Sequence, residues 1–183
     1  MVAPMTIEPN ITMRELLEQL PGAQRALFRK YHIGGCASCG FRPDETLAGV
    51  CERNENLPVA DVIDYLLASH EEDKKMLMEP LALAELRAQE GAGFKLVDIR
   101  TREEFDAAKI EDSILFTQEL MQEILGTWDR NALLVLIDHQ GKRSLDAAAF
   151  FAGHGFTEVK ALRGGIDAWS AEADSSVPRY ELE

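Results

Sequence analysis

The stretch that decides the fold is Ala132-Leu133-Leu134-Val135-Leu136-Ile137-Asp138-His139-Gln140-Gly141-Lys142-Arg143-Ser144. Its apolar first part predicts a buried strand, and the alanine-rich amphipathic segment that follows it, residues 145–151, predicts a helix. In such a strand–loop–helix unit the backbone N–H groups of the loop point toward its centre, at the positive end of the helix dipole. The loop is therefore predicted to hold an anion. We call it the anion loop; its members are Asp138, His139, Gln140, Gly141, Lys142, Arg143 and Ser144.

Strand and helix patterns alternate along the chain from residue 76 onward. Strands separated by helices indicate a parallel sheet, and the loops at the carboxyl ends of its strands carry any site. We therefore predict an α/β domain over residues 76–183, with the anion loop where a site is expected. The predicted strands are residues 76–78, 95–99, 113–116, 132–136 and 157–162, and the predicted helices are residues 81–86, 102–108, 118–125, 145–154 and 167–171.

The chain before residue 70 has a different pattern, that of short amphipathic helices. Thr12 followed by Glu15 fits a capping box and opens the first helix. Breaks at Pro21-Gly22 and Gly34-Gly35 delimit the second helix, and Pro58 begins the fourth. The sequence thus predicts a small all-α domain of four helices over residues 1–70. The charge-rich run at residues 69–75 is the predicted boundary between the two domains.

Composition and charge exclude several classes of protein. With 183 residues and 46% hydrophobic residues, the chain is globular in composition rather than disordered. No apolar run approaches the roughly 20 residues that a membrane-spanning helix needs, and the first residues lack the features of a signal peptide, so we expect a cytoplasmic protein. A formal charge of −13 leaves no basic surplus to neutralise phosphates, which argues against nucleic acids and anionic membranes as partners.

All three cysteines, Cys36, Cys39 and Cys51, lie in the predicted helical domain. An odd number of clustered cysteines without a secretion signal indicates redox chemistry or metal binding rather than a disulfide framework. Cys36 and Cys39 form a Cys-x-x-Cys loop next to a helix start, where the dipole favours thiolate and the spacing allows a disulfide. Cys51 lies on an apolar helix face and packs in the core unless it reaches back to that loop. Together with His32, the cysteines could also supply four ligands to zinc or to an iron–sulfur cluster.

Several motifs of the predicted α/β domain occur together. They are Val97-Asp98-Ile99-Arg100 with Glu104-Phe105 after it, Gly141-Lys142-Arg143-Ser144, Gly155-Phe156-Thr157-Glu158-Val159, and Leu162-Arg163-Gly164-Gly165-Ile166-Asp167-Ala168-Trp169. With these motifs the second domain resembles the single-domain rhodanese family. Asp98 and Arg100 are among the residues that match the family. The resemblance implies a five-stranded parallel sheet between helices. It also implies transfer of sulfane sulfur through a cysteine persulfide that the N–H groups of the loop surround.

This chain departs from the family at the residue that carries the chemistry. The family's loop begins with a cysteine three residues before the glycine, and here that position is Asp138. A carboxylate could occupy the loop, accept its N–H groups and pair with Arg143, but it cannot form a persulfide. His139 is expected to be an exposed loop residue rather than a base, because no nucleophile is present for it to activate. We therefore expect no catalytic residue in the anion loop and no rhodanese sulfurtransferase activity from it.

Two further expectations concern the surroundings of the loop. Where the family usually shows Gly-His-Ile-Pro-Gly-Ala, this chain has Ala108-Lys109-Ile110-Glu111-Asp112-Ser113, which suggests relaxed constraint near the site. The aromatic residues Phe150, Phe151 and Trp169 are expected in the core.

The first domain carries a second set of matching residues. They are Leu16, Leu20-Pro21-Gly22-Ala23, Phe28, Tyr31-His32-Ile33, the paired cysteines, Glu45-Thr46-Leu47, Cys51 and residues 62–67. They resemble the small helical cysteine domain of hybrid-cluster-protein-associated proteins and of iron–sulfur cluster repair proteins. The resemblance implies redox-active or metal-associated thiols. No histidine-rich helical domain follows, so the repair activity is not carried over.

The sequence leaves three hypotheses open. The leading one is a redox cysteine module, using Cys36, Cys39 and Cys51, fused to a catalytically inactive rhodanese-like module with a binding or regulatory role. The alternative is a sulfurtransferase or sulfur carrier that uses Cys36 and Cys39, and the third is a metal or iron–sulfur binding module. The expected partner is an unidentified protein, or a donor of a thiol or of sulfane sulfur. A homodimer is also compatible with the sequence.

Overall fold

The chain divides into a helical unit and an α/β unit. The computed structural model describes residues 5–35, 40–89 and 93–180. Its two compact units are Met1–Lys75 and Met76–Glu183. The predicted α/β class and the predicted N-terminal helices are confirmed. The predicted redox pair, Cys36 and Cys39, lies outside the described residues. Among the residues that are described, no helix combines the length and the apolar character needed to span a bilayer.

The helical unit contains α1 (Met13–Gln19), α2 (Ala23–Tyr31), α3 (Leu47–Arg53) and α4 (Val59–Lys75). The predicted capping box is present: the Thr12 hydroxyl accepts from the Glu15 N–H, and the Glu15 carboxylate accepts from the Thr12 N–H. Each interaction satisfies an N–H group that the helix itself leaves without a partner. At the start of α3 the hydroxyl of Thr46 accepts the N–H of Gly49.

A single apolar core joins these four helices. Cys51 belongs to this core, with 2% of its surface exposed. The charge-rich run at residues 69–75 is helical, because α4 continues through Lys75 and places its charges in i,i+3 ion pairs. Within that run Asp73 is buried and forms an ion pair with Arg25 of α2. Fully buried members of the core include Met13, Leu16, Leu27, Leu47, Val50 and Val62.

The second unit is a five-stranded sheet with helices on both faces. The strand order is β1-β5-β4-β2-β3 and all of its pairings are parallel. The elements are β1 (Leu77–Met78), α5 (Pro80–Arg87), β2 (Phe94–Asp98), α6 (Arg102–Ala107), β3 (Ile114–Leu115), α7 (Gln118–Thr127), β4 (Leu133–Ile137), α8 (Arg143–Gly153), β5 (Val159–Leu162) and α9 (Gly165–Glu172). The predicted edge strand at residues 76–78 is present as β1, while α9 is longer than the predicted single turn.

Strand β4 lies at the centre of the sheet and packs on both faces. Val135 and Ile137 contact the cluster that contains Leu83 of α5 and Trp169 of α9. Leu134 and Leu136 contact the opposite cluster, which contains residues of α7 and α8. This alternation follows from the two-residue period of a strand. Because both faces are covered, β4 is apolar throughout.

The prediction for Phe150 is wrong, whereas those for Phe151 and Trp169 are confirmed. Phe151 is 1% exposed in the core, and Phe150 is 45% exposed. Consecutive residues on a helix point about 100° apart, so α8 can direct only one of the pair at the sheet. The outward ring of Phe150 packs on the imidazole of His154, with 4.2 Å between the ring centroids.

A buried ion pair joins the end of β2 to the end of α6. The carboxylate of Asp98 accepts the backbone N–H of Arg100 at 3.0 Å and its Nη2 at 2.6 Å. The same Nη2 also donates to the carbonyl of Ala108, the C-cap residue of α6, at 2.6 Å. Burial alone would lower the pKa of Arg100, but its hydrogen bonds to Asp98 and Tyr180 raise it. The guanidinium therefore stays charged and fixed in position.

Removing one member of this pair should destabilise the second unit strongly. In the Asp98→Asn variant the buried guanidinium loses its counter-ion, and we expect the free energy of unfolding to fall by about 3–5 kcal/mol. Urea denaturation followed by tryptophan fluorescence measures this unit alone, because both tryptophans of the chain, Trp128 and Trp169, lie in it.

The matched control is Asp112→Asn. The Asp112 carboxylate is 87% exposed and 3.7 Å from Arg87, so its loss should cost no more than about 1 kcal/mol. Equal losses in the two variants would show that the buried pair does not stabilise the unit.

Candidate functional site

The carboxylate of Asp138 lies inside the anion loop, directly after β4. Its Oδ1 accepts the backbone N–H of Gly141 at 2.5 Å and the hydroxyl of Ser144 at 2.9 Å. Its Oδ2 accepts the backbone N–H of Arg143 at 2.8 Å. Asp138 is only 3% exposed. Three donors of the loop are therefore directed at one buried carboxylate.

The interaction with Arg143 differs from the predicted one. We expected the guanidinium to pair with Asp138, but the bond comes from the backbone N–H, and Arg143 is exposed. The reason is that α8 begins at Arg143, two residues earlier than predicted. The N–H groups of a first helical turn have no partner within the helix and face the preceding loop.

A second loop, between β5 and α9, packs against the anion loop through backbone hydrogen bonds. The Ile166 N–H donates to the Asp138 carbonyl at 2.9 Å, and the Asp167 N–H donates to the His139 carbonyl at 3.1 Å. The close approach requires glycine: a Cβ on Gly165 would lie 2.4 Å from the Asp138 carbonyl oxygen, and Gly165 has a φ of +61°. The two loops therefore form one unit at the carboxyl ends of β4 and β5.

His139 is buried, contrary to the prediction of an exposed loop residue. It is 9% exposed, and its ring stacks on the ring of Tyr180 with a centroid distance of 4.5 Å and an interplanar angle of 22°. Its Nε2 is 2.9 Å from the Tyr180 carbonyl oxygen, to which it donates. Tyr180 lies 41 residues further along the chain, in a C-terminal segment that returns to the site. The aromatic residue in that segment was the one sequence signal of this contact.

Tyr180 also connects the anion loop to the ion pair at the end of β2. Its hydroxyl accepts from Nη1 of Arg100 at 2.6 Å and donates to Oε1 of Glu104 at 2.8 Å. Burial, together with the hydrogen bond to Glu104, raises the pKa of Tyr180 to about 12. The hydroxyl therefore remains a proton donor at any physiological pH. The family-matching residues Asp98 and Arg100 are thus connected to the anion loop through Tyr180.

The remaining loop residues form its rim. Gln140 and Lys142 are exposed, and Gly141 has a φ of +83°, a left-handed conformation that favours glycine. A Cβ on Gly141 would lie 2.6 Å from the Gly164 nitrogen. The loop conformation is thus fixed by backbone packing, and its exposed rim carries a positive charge at Lys142.

The structure describes two of the four predicted metal ligands, His32 and Cys51. His32 is an exposed residue in a left-handed conformation at the end of α2, whereas Cys51 is buried in the helical core. Burial raises the pKa of the Cys51 thiol, which disfavours the thiolate that binds metals. Within residues 5–35, 40–89 and 93–180, no three histidine, cysteine or acidic side chains are arranged to hold a metal ion.

Comparison with known proteins identifies the α/β unit. A profile described as a rhodanese-like domain matches residues 81–172. A thiosulfate sulfurtransferase GlpE of Ectopseudomonas mendocina is 33% identical over 106 residues, which cover 58% of this chain and 94% of that protein. The adenylyltransferase and sulfurtransferase UBA4 of Debaryomyces hansenii is 24% identical over 188 residues, covering 92% of this chain but only 40% of that longer protein.

Solved structures also resemble this unit. A rhodanese-like domain from Anabaena sp., determined by solution NMR, has a TM-score of 0.49 and 16% identity, with coverage of 59% of this chain and 87% of that domain. A rhodanese-related protein from Thermoplasma volcanium has a TM-score of 0.43 and 23% identity, with coverage of 53% and 92%. Since the profile spans half of the sequence and the GlpE relative is matched over nearly its whole length, the chain belongs to the rhodanese-like family.

Proposed function

We propose that the protein is a sulfur- or redox-related binding protein whose rhodanese-like unit has no sulfurtransferase activity. In this proposal Asp138 replaces the sulfur-accepting cysteine of active relatives, and Cys36 and Cys39 carry any thiol–disulfide or persulfide chemistry. The observation that carries the proposal is the buried Asp138 carboxylate, which accepts hydrogen bonds from Gly141, Arg143 and Ser144.

The chemistry of the loop explains why Asp138 prevents sulfur transfer. A sulfurtransferase of this family needs a thiolate that attacks the sulfane sulfur and then retains it as a persulfide, stabilised by the N–H groups of the loop. A carboxylate has no sulfur atom with which to form that bond. It also occupies the N–H groups of Gly141 and Arg143, so that a substrate anion would have to compete with a fixed charge for the same donors.

The thiols of the helical unit divide into two kinds. Cys51 is buried with a raised thiol pKa, so it forms little thiolate at neutral pH. This leaves Cys36 and Cys39 as the reactive pair, in keeping with the resemblance to small helical cysteine domains. A site for zinc or an iron–sulfur cluster that also requires Cys51 and His32 fits less well, because its third thiol belongs to the apolar core.

A sulfur carrier is the second candidate function, and the Cys-x-x-Cys spacing favours it. The thiolate of Cys36 or Cys39 would attack the outer sulfur of a donor such as thiosulfate, the S–S bond of the donor would break, and sulfite would leave with its electron pair. The resulting persulfide would then pass to a protein partner. An unidentified protein that receives the sulfur, and a homodimer of this chain, are parts of the proposal.

Restoring the cysteine should restore persulfide chemistry. We expect the native chain to show no turnover of thiosulfate and cyanide at the anion loop, and Asp138→Cys to gain one sulfur atom from thiosulfate at residue 138, detected by peptide mass spectrometry. The N–H groups of Gly141 and Arg143 already point at that position. Asp138→Ser is the matched control, because it has a similar size and no thiol. Turnover by the Ser variant would contradict the assignment.

Removing only the charge of Asp138 should destabilise the second unit. In Asp138→Asn an amide NH₂ replaces an accepting oxygen and faces N–H or O–H donors, so we expect a loss of about 1–3 kcal/mol in the free energy of unfolding. The loss is measured by urea denaturation with tryptophan fluorescence, again with Asp112→Asn as the control. Unchanged stability would show that the carboxylate is not bound by the loop.

The reactive thiols should be lost with the Cys-x-x-Cys pair. In the native state we expect Cys36→Ser/Cys39→Ser to abolish the reaction with a small disulfide reagent, whereas Cys51→Ala should leave it unchanged because Cys51 is buried. Mass spectrometry after incubation with thiosulfate tests the carrier: an added sulfur atom on the peptide of Cys36 and Cys39 supports it. Unchanged thiol reactivity in the double variant would contradict the proposal.

A further inference from the structure

Four side chains at the carboxyl ends of the strands form a surface that the C-terminal segment covers. They are Arg100, Glu104, His139 and Asp167, and we call this surface the recognition face. The segment that covers it is Val177-Pro178-Arg179-Tyr180, whose residues 178–180 belong to no helix or strand. The chemistry of the contacts between the two defines what the face can bind.

Arg100 and Glu104 are fixed by interactions that do not involve the C-terminal segment. The guanidinium of Arg100 is held by the buried carboxylate of Asp98 and by the Ala108 carbonyl. Glu104 closes the capping box of α6, in which its Oε2 accepts the Thr101 N–H at 3.0 Å. Nη1 of Arg100 has only a long contact of 3.5 Å to the Glu104 carbonyl oxygen, and it can therefore also donate to an outside group, while Oε1 of Glu104 can accept from that group. The pair is therefore a preformed donor and acceptor for a hydroxyl.

The two packed loops hold the backbones of His139 and Asp167. The Asp167 N–H donates to the His139 carbonyl, so the position of each backbone depends on the other. The imidazole offers a flat ring and a donating Nε2, and the Asp167 carboxylate offers two acceptors. The backbone positions of His139 and Asp167 are thus held by contacts that do not involve the C-terminal segment.

The occupant satisfies every one of these groups. Arg179 donates from Nε and Nη2 to the two oxygens of Asp167 at 2.7 Å and 2.9 Å. The Tyr180 ring stacks on His139, its carbonyl accepts from Nε2, and its hydroxyl lies between Arg100 and Glu104. Before them the chain is anchored by the buried side chain of Val177, whose carbonyl accepts from the hydroxyl of Ser170.

We infer that the recognition face is a binding site for an extended arginine–tyrosine segment of a partner protein, which this chain occupies with its own Arg179 and Tyr180. Three contacts select that chemistry by their geometry: a bidentate guanidinium–carboxylate pair, a stacked ring, and a hydroxyl between two fixed polar groups. Because Arg100 and Glu104 are already held by contacts within the protein, an incoming segment does not have to order these two side chains. The acidic balance of the chain, −13, also favours a segment that carries arginine.

The intramolecular segment competes with any partner. A tethered segment acts at an effective concentration on the order of millimolar, so the native chain should bind a free peptide far more weakly than a chain whose own segment is disabled. This inference does not rest on the sulfur chemistry proposed above. The Asp138→Cys assay tests that chemistry, and peptide binding tests this one.

The test uses the full chain with Arg179→Ala/Tyr180→Ala, which empties the face and keeps Val177 in the core. The probe is the end-blocked tripeptide Pro-Arg-Tyr, titrated while the NMR signals of the His139 ring are followed. We expect binding to the emptied chain to be roughly tenfold tighter than to the native chain. Adding Asp167→Asn to the emptied chain, or replacing the probe by Pro-Ala-Ala, should abolish it. Absence of saturable binding to an emptied chain with native tryptophan fluorescence would overturn the inference.

A measurement on the native chain keeps the inference testable if the emptied variant does not fold. Diethyl pyrocarbonate should modify His139 roughly tenfold more slowly than the exposed His154, because Tyr180 covers the His139 ring. Equal rates would show that the segment does not occupy the face, which overturns the inference. Concentration-dependent dimerisation that disappears in the emptied variant would assign the occupant to a second copy and overturn the intramolecular assignment.

Discussion

The structure of the second unit depends on how the backbone N–H groups between β4 and α8 are satisfied. A strand that ends under a helix N-terminus leaves such donors without backbone partners, and buried N–H groups without partners are costly. In this chain the carboxylate of Asp138 is the acceptor for two of them and for the Ser144 hydroxyl. The acceptor for these donors is therefore a side chain of the protein itself. This constraint connects the family's architecture to the function that we propose for this member.

The rest of the site follows from keeping that loop in one conformation. Gly141, Gly164 and Gly165 have positive φ angles and allow the two loops to pack backbone against backbone. On the outer side, Tyr180 stacks on His139 and joins it to Arg100, which the buried Asp98 holds. The binding role that we propose for this end of the sheet rests on these fixed polar contacts.

The sequence predicted those features that local pattern determines. The two-residue alternation in β4, the apolar faces of the helices and the Thr12–Glu15 capping box all involve neighbours within a few residues of one another. Asp138 was also predicted at the loop, from its position between strand and helix. The start of α8 was predicted two residues late, because a loop and a first helical turn have the same composition here. Phe150 was misplaced because its neighbour Phe151 has the same hydrophobicity and only the helix geometry separates them.

The missed part of the site depends on contacts between distant residues. Nothing near His139 in the sequence indicates that Tyr180 will cover it, since the two are 41 residues apart. We propose that the anion loop does not transfer sulfur and that only cysteines of the helical unit can hold it. The most direct test is to assay the chain with Cys36→Ser, Cys39→Ser and Cys51→Ser together for persulfide formation and for thiosulfate:cyanide sulfurtransfer. We predict that this folded, cysteine-free chain takes up no sulfur, and sustained transfer by it would contradict the account.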